Sequence, residues 1–145
     1  MRTRDSKRES NPMDLRTRAL MAISATLMAV LGLSATFLPQ EALAYAGYPA
    51  RGLAVVFVQV TGALFLGFAF LNWMARGTLI GGIYSRPVAI GNFMHFAMVT
   101  IVLVKALSTQ ATSSFIVATV IYAVLAVWFG AVLFTPPLKR GENQP

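Results

Sequence analysis

The chain has no cysteine. That excludes disulfide chemistry, thiolate metal sites and covalent haem attachment through a Cys-x-x-Cys-His motif. It also removes the class of small four-helix membrane oxidoreductases that pass electrons from thiols to quinones. Acidic residues are nearly as scarce. There are five Asp and Glu in 145 residues, against twelve Lys and Arg, and none of the five lies inside a long apolar run. Paired-carboxylate catalysis and carboxylate metal sites therefore have no residues to use. Proton-driven carriers that couple through an intramembrane acid lack their coupling group. There is one histidine, so bis-histidine haem ligation within one chain is ruled out. Met98, three residues from His95 on the same helix, cannot reach the opposite face of a haem.

Charged residues of both signs make up 12% of the chain and apolar ones 57%. A soluble domain carries about 25% charged residues, so the soluble class is disfavoured and no metal is expected. The net charge of +7 invites a nucleic-acid reading, but the basic residues sit at the ends of the apolar runs. No aromatic and basic residues alternate as a nucleic-acid groove requires, and no nucleic-acid partner is expected.

Four runs are long and apolar enough for a bilayer core of ~30 Å, which takes roughly 20 helical residues. They cover residues 19–38, 52–74, 87–106 and 115–134. The expected fold is an all-α membrane protein, a four-helix transmembrane bundle. Residues 1–18 read as a disordered basic tail, within which Met13 offers a second start and leaves 1–12 open. Residues 136–145 read as a second tail. Residues 19–38 have two readings, a retained helix (the one expected) or a signal peptide ending at Ala44. Pro39, Gly47 and Pro49 break the chain after this run, with room for one short turn over residues 40–45.

Residues 52–104 read as a membrane helical hairpin joined by a short basic loop around Gly81-Gly82. Lys and Arg set its orientation. The side holding both termini carries ten of them, and the other carries only Arg51 and Lys105. Both termini are therefore expected in the cytoplasm, and the membrane is expected to be a bacterial inner membrane.

The candidate site lies on this hairpin. Counted at ~1.5 Å per residue, Asn72, Asn92 and His95 fall within ~12 Å of the same membrane boundary. Asn92 and His95 are three apart and share a helix face. Two uses compete for them. One is a polar pocket able to take a quinone or lipid headgroup, or to relay a proton through His95. The other is a set of interhelical hydrogen bonds worth about 0.6 kcal/mol each, and this is the expectation adopted. Ala63 and Gly67 form a small-xxx-small pair expected to serve helix packing, with Gly62 beside it. Arg76 and Arg86 bracket the glycines of the loop and are candidate lipid-headgroup contacts. Gln59 and Lys105 form an outer polar layer, where Lys105 snorkels to the headgroups.

The stretches Phe70-Leu-Asn-Trp-Met-Ala-Arg-Gly, Ile80-Gly-Gly-Ile-Tyr-Ser-Arg-Pro and Gly91-Asn-Phe-Met-His-Phe resemble small, uncharacterised four-helix bacterial membrane proteins over about a third of the chain. In overall layout the chain is also similar to the DoxX-like group, some of whose members are associated with quinone-linked oxidation. No cofactor is expected; that resemblance implies at most a quinone or lipid pocket and carries no motif onto individual residues. The functional expectation is a non-enzymatic accessory or lipid-associated membrane protein, with no catalytic residues. Its partners would be the bilayer, a second membrane protein or another copy of itself. The alternatives are a DoxX-like redox protein and a small transporter.

Overall fold

The computed structural model describes residues 12–77, 85–109 and 111–134, with side chains from Leu15 onward in the first segment and from Arg86 in the second. These form five helices: α1 (Pro12–Phe37), α2 (Pro39–Tyr45), α3 (Leu53–Ala75), α4 (Ser85–Ala106) and α5 (Ser113–Phe134). Four of them, all but α2, are long and apolar enough to cross a membrane, and no strand occurs among the described residues. The chain is built as a multi-pass membrane protein with an all-α, four-helix transmembrane fold.

Each boundary has a local cause. α1 starts at Pro12, so residues 12–18, expected in the disordered tail, are helical; residues 1–11 lie outside the described residues. Proline at the start of a helix loses no hydrogen bond, because the first N–H groups have no intrahelical acceptor. Pro39 opens α2 in the same way, where a short turn was expected. Pro87, expected to begin the third span, is the third residue of α4 and still in its first turn. Gly52 precedes α3 with φ +65°, a left-handed conformation that is strained for any residue carrying a Cβ. The loop at residues 78–84 and the tail at 135–145 lie outside the described residues.

Neighbouring spans run antiparallel. Asn72 of α3 bonds Ser24 of α1, while Gly62 lies against Gly32 and Thr36 nearer the other end. Phe96 of α4 stacks on Phe129 of α5, and Phe93 meets Phe134. The helices associate as two pairs, α1 with α3 and α4 with α5, and the two pairs touch along a thinner seam. α3 and α4 form the expected antiparallel hairpin, with Asn72 opposite Asn92, but it is not the tightest pairing. α3 and α4 follow one another in sequence, yet each packs most closely on another helix.

The reason is visible in the small residues. A Cβ on Gly62 would stand 2.6 Å from the Thr36 nitrogen and 2.8 Å from the Gly32 oxygen. One on Gly32 would stand 2.9 Å from both the Gly62 oxygen and the Leu66 nitrogen. Only two glycines face to face allow α1 and α3 to approach backbone to backbone. In lipid that approach supplies dispersion contacts that apolar side chains do not otherwise gain on leaving the acyl chains. The α4/α5 pair is instead filled by aromatic rings, with Gly130 making room for Phe93.

The surface is apolar. Val127, Phe134, Phe70 and Met74 are each more than two-thirds exposed. An exposed apolar area of that kind marks a surface meant for lipid or for a partner. The buried polar side chains, Ser24, Asn72, Asn92 and Thr119, all face inward.

Candidate functional site

Asn72, Ser24 and Asn92 come from three different helices and meet at the seam. The Asn72 amide nitrogen donates to Asn92 Oδ1 at 2.8 Å, and the Asn92 amide nitrogen donates back to Asn72 Oδ1 at 2.5 Å. The second hydrogen of each amide is also used. Asn72 donates to Ser24 Oγ at 3.1 Å, and Asn92 donates to the Val88 carbonyl one turn back on its own helix at 2.8 Å. Ser24 in turn donates to the Met21 carbonyl at 3.1 Å. Both asparagines and Ser24 are 0–1% exposed. All four amide N–H groups thus have protein acceptors, which is what burial of an amide away from water requires.

His95 is brought to the same seam, one turn further along α4, but it does not join the network. Its ring stands among Phe65 (centroids 5.7 Å), Phe68 (4.9 Å), Phe96 (5.3 Å) and Tyr122 (6.0 Å). Its Nε2 is buried and has no hydrogen-bond partner among the described residues. The imidazole therefore packs as an aromatic plate between α3 and α5, with edge-on contacts of the kind aromatic pairs favour. A Ser24–His95 nucleophile pair is not formed, since Ser24 Oγ is bonded to Met21 and Asn72.

Ala63 and Gly67 are exposed, and nothing stands within 4 Å of a Cβ placed on Gly67. The close contact within the chain falls one helical position away, on Gly62. Gln59 donates to the Thr36 carbonyl at a long 3.4 Å. Lys105 is exposed in the last turn of α4. Arg86 is exposed at the start of α4. Arg76 is partly buried. Its guanidinium lies 3.3 Å from the centre of the Trp73 ring, and Nη1 is buried without a hydrogen-bond partner among the described residues.

Three features escaped sequence reasoning. Ser24 is one of several hydroxyls in the first run, and only its level opposite Asn72 marks it out. Gly32 carries no pattern in sequence. The Trp73–Arg76 stack has an i, i+3 spacing that was legible but common. Among the described residues no group of three or more His, Asp or Glu could hold a metal ion.

No known protein family, curated protein or solved structure matches the chain.

Proposed function

We propose that this chain is a non-catalytic, multi-pass protein of a bacterial inner membrane with both termini in the cytoplasm, serving as an accessory subunit or a lipid-associated factor. The observation that carries the reading is the closed asparagine pair. The groups the sequence offered for ligand binding, Asn72 and Asn92, spend every amide hydrogen on protein acceptors, and no acidic residue lies within the apolar spans to drive acid–base or carrier chemistry. The network joins two helix pairs, so its role is to hold α1, α3 and α4 in register. Gentle detergent extraction of the full-length protein followed by mass spectrometry tests this. A co-purifying membrane protein, a second copy or phospholipid supports the reading; stoichiometric quinone overturns it.

The DoxX-like quinone reading has one observation in its favour, the unpartnered His95 Nε2 inside an aromatic cage. A quinone carbonyl would accept a hydrogen bond from that nitrogen. Under this reading, quinone recovered from the wild type is lost in His95→Phe. A small transporter is the third reading, and a proteoliposome flux assay tests it.

A further inference from the structure

α1 and α3 separate on their outer side into a groove of about 440 Å³, lined by Ala25, Ala29 and Leu33 from α1 and by Leu66, Ala69 and Trp73 from α3. Its walls are apolar. The hydroxyl on its rim, Thr26, donates to the Ala22 carbonyl. The groove begins at Trp73 and runs away from the end of α3 toward Leu66. Ten residues separate Leu66 from Arg76, ~15 Å of helix, or about half the hydrocarbon thickness of a bilayer. The lined stretch itself, from Trp73 to Leu66, is seven residues or ~10 Å, so an acyl chain whose headgroup lies at Arg76 reaches the far end of the groove within one leaflet.

Beyond Trp73, at the end of α3, stands a cation. Arg76 follows the last residue of α3, lies 3.3 Å from the centre of the Trp73 ring and keeps Nη1 buried without a hydrogen-bond partner among the described residues. Trp73 is thus shared by the groove and the charge. A guanidinium stacked on an aromatic face keeps its N–H donors in the plane of the fork, a geometry that matches two phosphate oxygens. The carboxylate among the described side chains, Glu41, is on α2 at the other end of the bundle. The terminal carbonyls of α3 repel an anion, so any phosphate held here is held by the side chain.

We propose that the α1/α3 groove and Arg76 form a binding site for an anionic phospholipid, one acyl chain lying in the groove against Trp73 and the headgroup phosphate on the Arg76 guanidinium. The site deepens the lipid-associated reading above and gives it a ligand class. A phosphate without an acyl chain would meet only the cation, and an uncharged chain only the groove; a zwitterionic phospholipid meets both but brings an ammonium that offsets the attraction of its phosphate to Arg76, which a net anionic headgroup does not. The combination selects the lipid.

Trp73 reports occupancy directly. The full chain carrying Trp128→Phe has Trp73 as its one tryptophan. It is reconstituted into zwitterionic vesicles containing a minor fraction of anionic phospholipid with brominated chains, which quench tryptophan on contact. Quenching should exceed the level for random lipid mixing. It should fall about fivefold in apparent affinity in Arg76→Gln, the loss of one cation at the headgroup level. Ala29→Leu, which fills the groove and leaves Arg76 in place, should also lower it. Brominated zwitterionic lipid at the same fraction should give the random level. Quenching at the random level in the parent protein overturns the site, as does excess quenching that survives Arg76→Gln. Equal excess quenching by brominated zwitterionic lipid overturns the selection of charge. Either failure leaves the accessory-subunit reading standing, because that reading is scored by what co-purifies and not by Trp73.

Discussion

Asn72 and Asn92 face each other across the seam as a reciprocal amide pair, at 2.8 and 2.5 Å. These are side chains of two helices whose other ring contacts are those of His95 with Phe65 and Phe68. The pair therefore acts as a clasp between two separately packed helix pairs. In lipid, where the alternative partner is hydrocarbon, breaking one half leaves the other half exposed as an unsatisfied amide.

Replacing either asparagine alone tests the clasp. Asn72→Leu or Asn92→Leu should each destabilise the fold by about 1–2 kcal/mol, because the remaining amide stays buried without its partner. The double variant should be less damaged than the sum of the two, since it removes both polar groups at once. Unfolding in mixed micelles monitored by helix content reads all three. Strict additivity would show that the two side chains act independently.

The glycine contact makes a contrast within one helix. Gly62→Val and Gly32→Val put branched side chains where less than 3 Å is available. Each should cost about 1–3 kcal/mol or force α1 away from α3. Gly67→Val and Ala63→Val face outward and should change the stability of the single chain by no more than about 0.5 kcal/mol. The same four variants run on a size-exclusion column in detergent separate the two roles. Loss of a larger species in Gly67→Val would assign that pair to contact between copies.

His95 should behave as an aromatic filler. His95→Phe keeps the ring contacts and removes an unpartnered buried nitrogen, so stability should be unchanged or higher. His95→Ala opens a void among Phe65, Phe68, Phe96 and Tyr122 and should cost about 3 kcal/mol. Thermal melts in one detergent compare them. If Phe were as damaging as Ala, the nitrogen rather than the ring would be what the protein needs.

Sidedness can be measured cleanly because the chain has no cysteine of its own. Tyr48→Cys, in the connector after α2, should react with an impermeant maleimide in intact cells. Gly77→Cys, just beyond α3, should react only after permeabilisation. The expectation rests on ten Lys and Arg at one end of the spans against two at the other. The reverse pattern would invert the protein and place the Arg76 site in the outer leaflet.

The sequence by itself determined the number of spans, their limits to within a few residues at most ends, and the common level of Asn72, Asn92 and His95 along α3 and α4. These are local properties. Whether twenty residues can cross hydrocarbon depends on those twenty residues, and depth follows from counting along one helix. The exception was α1, which begins at Pro12, beyond the apolar run. What only the tertiary structure decided was which helix faces which. Gly62 and Ala63 differ by one position, about 100° of rotation on a helix, and the apolar runs have no polar face from which that rotation could be read. The close contact fell on Gly62 because Gly32 stood opposite it. Ser24 became the third member of the amide network for the same reason, and the hairpin adjacent in sequence, though it carries the asparagine pair, packs less closely than the pairs with the better-fitting surfaces. In lipid those fits come from shape and from satisfied hydrogen bonds between distant residues, and neither is written in any one stretch of the chain.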